Sequence, residues 1–297
     1  MADKHILHML SPLRHVSPFD VNMALDAGFD AVLPYGKVNH EEVTSLVQDA
    51  IFSRPPKLAA KTGIFIGGKD ALVALDMMES AKSAMVPPFV ISLFADPAGS
   101  FTTAAAMVAR SERLLDKQHG RGLDGLRLAV FGATGVVGFA AAVIAALEGA
   151  RVTLVGHDGG ARVSRSAAEI ANRFSVTVQA ADGSTDERKT AILQQAEAVF
   201  CAGRAGVQIL TAAQLHTAPG VLLVADANAV PPAGMEGLDA MADGVTLGVD
   251  ALGLGALAIG DTKYRTEFGL FRKMIESDKA VRFDFRDAFA FARELAA

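Results

Sequence analysis

A glycine-rich segment, FGATGVVG at 131–138, contains the residues that a phosphate-binding turn requires. A dinucleotide site needs a strand leading into a tight turn, a backbone without bulky side chains beside the pyrophosphate, and a helix N-terminus directed at it. Gly132 would end the strand, Gly135 would allow close approach, and Gly138 would let the helix pack on the strand. Thr134 replaces the usual second glycine, and its hydroxyl can donate to a phosphate. The alternative is a strand-to-helix turn that binds no ligand.

An acidic residue after the next predicted strand favours the dinucleotide interpretation. Asp158 lies twenty-six residues after Gly132, close to where an acid binds the adenosine ribose in such folds. Asp158 would favour the free ribose of NAD and repel a 2′-phosphate. His157, Arg162 and Arg165 could neutralise that phosphate, unless the two arginines belong to a solvated helix face. We therefore expect a dinucleotide site that accepts both NAD and NADP.

Polar residues also follow two other apolar strands. Asp96 follows PPFVISLFA, and Asp226 and Asn228 follow GVLLV. Ligands bind at the carboxyl ends of parallel strands in open α/β sheets. Helix capping or turn chemistry is the alternative explanation for Asp96 and Asn228.

Several other catalytic patterns are missing from the sequence. Tyr35 and Tyr264, the two tyrosines, have no lysine four residues further on, so the pair that would serve alcohol–carbonyl redox or a cyclohydrolase step is absent. The seven histidines show no H-E-x-x-H spacing, and with Cys201 as the single cysteine no metal site is indicated. No Ser-His-Asp arrangement can be argued. The chemistry left is hydride transfer without an acid–base relay.

Length and composition indicate a globular protein and do not favour a nucleic-acid-binding or membrane-spanning one. The chain has 297 residues, 51% apolar, with a formal net charge of -5, enough for two domains or one large α/β unit. The absence of a basic run gives no reason to expect nucleic acid. One cysteine and an N-terminus without signal-peptide features predict a cytoplasmic location. Residues 128–147 carry no charge and could cross a bilayer by length, but a strand, a glycine turn and a buried helix explain them all.

Strand-like and helical patterns alternate along the chain. This alternation predicts an α/β fold of βαβ units with mostly parallel sheets. The polar segment DKQHGRGLDGLR at 116–127 indicates a boundary. We predict a substrate domain from residues 1–118 plus about 265–297, and a Rossmann-type NAD(P)-binding domain from residues 119–264. The last thirty or so residues are expected to be helical and to return to the first domain.

Seven segments spread along nearly the whole chain form a highly specific set. They are PFD at 18–20, TGIFIGGKD at 62–70, FADPAGSFTTAAAM at 94–107, FGATGVVG at 131–138, VGHDG at 155–159, VADANAVPPAG at 224–234 and GALAIGDTKY at 255–264. Together they resemble the NAD(P)-dependent methylene-tetrahydromethanopterin dehydrogenases of one-carbon metabolism. That family has an NADP-only type, with an arginine just after the VxG strand end, and a type that accepts NAD or NADP. With His157 and Asp158 at that place, the chain resembles the second type.

The resemblance implies oxidation of the methylene carbon of 5,10-methylene-tetrahydromethanopterin to methenyl, with hydride passing to the nicotinamide. The reacting carbon lies between two nitrogens whose lone pairs expel hydride, so no proton moves. A carboxylate would stabilise the developing cation, and Asp20 and Asp96 are the candidates. Phe19 would pack against the pterin or imidazolidine ring, with ordinary core as the alternative. Lys263 would hold the pterin or a neighbouring carboxylate, with a surface lysine as the alternative.

The predicted site comprises three catalytic residues and two binding sets. The catalytic residues are Lys263, Asp20 and Asp96. The substrate would be bound by Phe19, Asp20, Asp96, Gly99, Ser100, Thr102 and Lys263. The cofactor would be bound by Gly132, Ala133, Thr134, Gly135, Val136, Val137, Gly138, His157, Asp158, Arg162, Ala202, Gly203, Asp226 and Asn228. By resemblance we also expect a homo-oligomer, with a trimer as one form.

Two other functions stay open at the level of sequence. A methylene-tetrahydrofolate dehydrogenase would use the same hydride chemistry; the missing Tyr–Lys pair counts against an added cyclohydrolase, not against folate as a poor substrate. A nucleotide-binding sensor or scaffold without turnover would also need a complete phosphate turn. It leaves unexplained the polar set of Asp20, Asp96 and Lys263.

Overall fold

The computed structural model describes residues 3–297, the side chain of Val249 excepted, and the chain divides into two units. The first unit comprises the chain up to Thr102 together with Tyr264–Phe291. The second comprises Thr103–Lys263 and Ala292–Ala297. The domain boundaries expected at about residues 118 and 264 stay a prediction.

Strands and helices alternate through most of the chain. The strands are β1 (Ile6–Leu10), β2 (Ala31–Tyr35), β3 (Thr62–Ile66), β4 (Ser92–Ala95), β5 (Arg127–Phe131), β6 (Arg151–Gly156), β7 (Gln179–Asp182), β8 (Ala198–Cys201), β9 (Leu223–Asp226), β10 (Asp243–Thr246), β11 (Leu252–Leu254) and β12 (Arg282–Phe283). The helices are α1 (Pro18–Asp26), α2 (Glu42–Phe52), α3 (Ala71–Ser83), α4 (Ser100–His119), α5 (Val136–Leu147), α6 (Ala161–Phe174), α7 (Asp186–Leu193), α8 (Ala212–His216), α9 (Ala256–Glu276) and α10 (Phe285–Ala296). The predicted α/β class is confirmed.

The first unit contains a five-stranded parallel sheet in the order β12-β4-β3-β1-β2. Every residue of β3 and β4 is buried, as expected where both faces of a parallel sheet are covered. Phe271 of α9 lies at the centre of an aromatic cluster, with ring centroids 5.4 Å from Phe65, 5.1 Å from Phe94 and 6.1 Å from Phe29. Helix α9 therefore contributes the central ring to the core of this unit.

The C-terminal segment, expected to be helical over the last thirty or so residues, is helical except around one short strand. The strand β12 separates α9 from α10 and pairs in parallel with β4, with Arg282 opposite Leu93. The backbone N–H of Leu93 donates to Val281 O at 2.8 Å, and Val281 N–H donates to Ser92 Oγ at 3.1 Å. A two-residue strand has no detectable period, so only pairing with β4 defines it.

The second unit contains a seven-stranded sheet in the order β10-β11-β9-β8-β5-β6-β7. All neighbours are parallel except β10 and β11. The chain runs outward from β5 on both sides, first through β6 and β7 and then through β8 and β9. In such sheets a ligand crevice opens at the point where the order reverses, outside the carboxyl ends of the central strands.

The uncharged run at 128–147 forms part of this unit. It consists of most of β5, the glycine turn and α5, whose residues from Gly138 to Ala145 are all buried. In the part of the chain that the structure describes, no helix is long and apolar enough to cross a membrane.

We expect Phe271→Ala to lower the free energy of unfolding by about 3–5 kcal/mol, the usual cost of removing a buried ring. Urea denaturation followed by circular dichroism measures the change. Phe52→Ala is the matched control, because that ring is 56% exposed, and about 1 kcal/mol or less is expected there. Equal losses in the two variants would contradict the central position of Phe271.

Candidate functional site

The glycine turn after β5 is sterically demanding. Gly132 has φ +80, and a Cβ there would lie 2.4 Å from Ala202 O. A Cβ on Gly138 would lie 2.5 Å from Gly132 O. Neither position admits another side chain without movement of the backbone, since real Cβ atoms do not approach that closely. The turn is therefore held by backbone contact with the end of β8 on one side and with α5 on the other.

The N-terminus of α5 is available to an anion. Gly135 is its N-cap residue, and no side chain of residues 3–297 caps it. The first intrahelical donor is Phe139 N–H, which reaches Gly135 O at 2.9 Å, so the N–H groups of Val136, Val137 and Gly138 have no partner within the helix. Uncapped N–H groups beside a turn whose glycines are sterically required fit a pyrophosphate. Thr134 and Gly135 are exposed, whereas the side chain of Ala133 is buried.

The residues after β6 present a charge pair at the expected ribose end. His157 and Asp158 are both exposed, and Arg162 Nη1 lies 3.3 Å from Asp158 Oδ2. This hydrogen bond lowers the pKa of Asp158 below its ordinary value. The carboxylate is thus charged at neutral pH, and Arg162 partly balances it.

Asp226 and Asn228 lie at the end of β9 and are nearly fully buried. Asp226 accepts hydrogen bonds from the backbone N–H groups of Asn228 and Met235, each at 2.9 Å. Burial raises the pKa of Asp226. Beside them, Ala202 and Gly203 follow β8 and are half-buried. The structure thus brings the predicted cofactor residues of four loops to the carboxyl ends of β5, β6, β8 and β9.

In the first unit, Asp96 and Thr102 form a buried hydrogen-bonded pair at the start of α4. Thr102 Oγ1 donates to Asp96 Oδ2 at 2.6 Å, and Phe101 N–H donates to Asp96 Oδ1 at 2.8 Å. Both side chains are 0% exposed. The loop between them includes Ala98 at φ 55 and Gly99 at φ 64. Asp96 therefore fixes a strained loop, which favours capping as its role, and its contact with substrate stays a prediction.

Phe19 and Asp20 occupy the first turn of α1. Ser17 caps this helix by accepting from Asp20 N–H at 3.5 Å, and Pro18 follows it. Phe19 is 48% exposed and Asp20 is 3% exposed. A ring that is about half exposed does not fit ordinary core packing, and its contact with substrate stays a prediction. Ser100, which begins α4, is partly exposed.

Lys263 lies half-buried in the second turn of α9. One turn further along the same helix, Glu267 is 0% exposed, and sequence reasoning did not select it. Its position four residues after Lys263 was the available signal, because residues so spaced share a helix face.

A second pair that sequence reasoning did not select lies on two neighbouring strands, β1 and β2. His8 Nδ1 lies 3.1 Å from Tyr35 Oη. Burial lowers the pKa of His8.

Two features define the class: the sheet whose strand order reverses at β5, and the glycine turn at 131–138, called the cradle below. The class is a two-unit α/β protein with a Rossmann-type dinucleotide fold. Comparison with known proteins then shows the family. The family model described as methylene-tetrahydromethanopterin dehydrogenase, N-terminal, matches residues 18–98. The chain belongs to this family, since it is 53% identical over 294 residues, 99% of each chain, to the NAD(P)-dependent methylenetetrahydromethanopterin dehydrogenase of Methylorubrum extorquens. The resemblance found in the motifs is confirmed.

Two further proteins show how far the similarity extends. The bifunctional protein MdtA of Methylorubrum extorquens is 35% identical over 280 residues, which is 94% of this chain and 95% of that protein. Shikimate 5-dehydrogenase of Listeria monocytogenes, solved with shikimate and NAD, has a TM-score of 0.56 at 13% identity and covers 100% of this chain and 98% of its own. At that identity, the second comparison shows the fold alone.

We expect Gly132→Ala to weaken NADH binding at least about tenfold, because a side chain at positive φ is strained and the added carbon would displace the Ala202 backbone. Fluorescence titration with NADH measures the dissociation constant. Gly220→Ala is the matched control, since the nearest atom to its Cβ would be 3.9 Å away. If Gly132→Ala bound NADH as tightly as the unaltered protein, a dinucleotide site at this turn would be contradicted.

Proposed function

We propose that this chain oxidises 5,10-methylene-tetrahydromethanopterin to the methenyl form and transfers the hydride to NAD+ or NADP+. The observation that carries the proposal is the Gly132 cradle at the reversal point of the second sheet, in a chain of this family. The proposed setting is one-carbon metabolism, as a step in the oxidation of formaldehyde-derived carbon.

The second unit supplies the nucleotide-binding residues of this proposal. NAD(P)+, when bound, supplies the electrophilic nicotinamide C4 that accepts a hydride. The uncapped N–H groups of α5 would hold the pyrophosphate, and Asp158 would accept hydrogen bonds from the adenosine ribose. Arg162, already paired with Asp158 at 3.3 Å, would turn to a 2′-phosphate. A charge pair at this position supports use of both nucleotides.

The proposed substrate-binding residues belong to the first unit, except Lys263, which belongs to the second. The exposed ring of Phe19 would stack on the pterin or imidazolidine ring, and the adjacent Asp20 would stabilise the positive charge that develops on the carbon. The Asp96–Thr102 pair would hold the loop with Gly99 and Ser100 in place. Lys263, whose cation opposes a forming cation, would bind a carbonyl of the pterin or a neighbouring carboxylate. Since the substrate nitrogens expel the hydride, none of these residues needs to move a proton.

The remaining features of the proposal come from the sequence, and the oligomer among them from the family resemblance. We include in it a cytoplasmic enzyme that assembles as a homo-oligomer, with a trimer as one form. We also include the division into a substrate domain, residues 1–118 with about 265–297, and a nucleotide domain, residues 119–264. Gel filtration with light scattering tests the oligomer.

The proposal is tested by mixing purified protein with methylene-tetrahydromethanopterin and either nucleotide, and following NADH or NADPH by absorbance. Methylene-tetrahydrofolate is the parallel substrate. Turnover with the methanopterin and both nucleotides is expected. Turnover with methylene-tetrahydrofolate alone would indicate a methylene-tetrahydrofolate dehydrogenase instead. Tight NAD binding without turnover on either substrate would indicate a nucleotide-binding sensor or scaffold.

We expect Asp158→Ala to raise kcat/KM for NADP+ relative to NAD+ about fivefold or more, because the carboxylate that repels a 2′-phosphate is lost and Arg162 is released. Arg162→Ala should shift the ratio towards NAD+. Steady-state kinetics with both nucleotides gives the ratio. The control is Asp182→Ala, since Asp182 also ends a strand of this sheet and pairs with Arg188. An unchanged ratio in both Asp158 and Arg162 variants would place the ribose elsewhere.

A further inference from the structure

Two loops of the second unit are bound to each other beside the glycine cradle. The first, called the β8 loop, comprises residues 202–210, and the second, called the β9 loop, comprises residues 227–235. Asn228 joins them, because its Oδ1 accepts from Gly206 N–H at 3.2 Å and from Val230 N–H at 2.9 Å. Its Nδ2 donates to Pro232 O at 2.8 Å. One buried amide therefore uses its oxygen across the two loops and its nitrogen to close the β9 loop.

Hydrogen bonds of the Asp226 side chain and of the backbone also hold these two loops. Asp226 accepts from the N–H groups at both ends of the β9 loop, Asn228 and Met235. Ile209 N–H and Leu210 N–H both donate to Gly234 O, at 2.8 and 3.0 Å. These hydrogen bonds give Asp226 and Asn228 a role in holding the loops, and their contact with the cofactor stays a prediction.

The linked loops present two apolar side chains to solvent. Val207 is 46% exposed and Val230 is 52% exposed. The loops meet at Gly206, where a Cβ would lie 3.6 Å from Val230 Cγ1. Gly206 has φ +74, a conformation that favours glycine. Single exposed valines need no explanation, but two on loops fixed together form a small apolar surface.

The position of Val207 and Val230 after β8 and β9 indicates which part of a dinucleotide they would contact. The β8 loop begins at Ala202, whose backbone contacts Gly132 of the cradle. Asp158 follows β6, on the opposite side of β5 from β8 and β9. A dinucleotide whose pyrophosphate lies at the β5 turn and whose adenosine ribose lies at β6 extends its other half over β8 and β9. That half carries the nicotinamide, a flat ring that needs apolar contact and a fixed orientation.

We propose that Val207 and Val230 contact the nicotinamide ring and that Asn228 is the positioning residue that holds their loops together. The inference deepens the proposed function, on which it rests, by assigning residues to the half of the nucleotide that reacts. Hydride transfer depends on the position of nicotinamide C4, and a displacement of about 1 Å can cost about 100-fold in rate. The valines would also exclude water from one face of the ring.

The test compares NAD+ with ADP-ribose, which has the same pyrophosphate and adenosine but no nicotinamide. The double variant Val207→Thr/Val230→Thr keeps the branched shape of each side chain and replaces one methyl group of each by a hydroxyl. Calorimetry should show NAD+ binding weakened about three- to tenfold, because part of the apolar contact is lost, with ADP-ribose affinity unchanged. Val245→Thr is the control, since Val245 is 58% exposed on the edge strand β10.

Asn228 is tested by two variants. Asn228→Ala should lower kcat about 10- to 100-fold and weaken NAD+ but not ADP-ribose. Asn228→Asp keeps the two bonds that Oδ1 accepts but replaces the Nδ2 donor to Pro232 O with an acceptor, so it should recover only part of the NAD+ affinity. The loss of NAD+ affinity without loss of ADP-ribose affinity is the result that a general loss of folding would not give. Equal weakening of NAD+ and ADP-ribose, or no weakening of either, would overturn the inference. Because the binding comparison needs no pterin turnover, its result is separate from that of the turnover assay.

Discussion

The contact between the turn after β5 and the end of β8 is the constraint on which the nucleotide unit depends. Gly132 meets the Ala202 backbone so closely that no side chain fits, and its left-handed φ excludes most residues as well. This contact sets the start of α5 and the origin of the β8 loop at once. The anion-binding helix terminus and the proposed nicotinamide surface are therefore positioned by one backbone approach.

Both units also contain a buried carboxylate whose hydrogen bonds fix a loop at the end of a strand. Asp96 is fully buried and binds Thr102 and the start of α4. A buried carboxylate is costly unless hydrogen bonds satisfy it, and removing its partners leaves the charge exposed to a low dielectric. Asp226 plays the same part in the second unit. Both residues end parallel strands, so each unit fixes a loop at the edge of its sheet where ligands bind.

The sequence predicted the alternation of elements from β1 to β9 and the helices between them because each has several residues with a clear period. It did not predict the short strands β10, β11 and β12, which are defined by their neighbours: β12 exists because Val281 and Arg282 pair with Ser92–Leu93 of β4. In the site, residue types at strand ends were sufficient to select Asp96 and Asp226. They were not sufficient to assign those carboxylates to hydrogen bonds within the protein.

The sequence by itself determined the family, the α/β class and the chemistry of the cradle, because glycine spacing and the acid after β6 are local patterns. Only the tertiary structure decided which residues are exposed at the strand ends and which hold loops. Gly206 and Val230 lie close together because parallel pairing of β8 with β9 brings their loops to one edge. Glu267 is buried because its part of α9 packs in the first unit. Such contacts join residues far apart in the chain, and no period or spacing within the sequence records them.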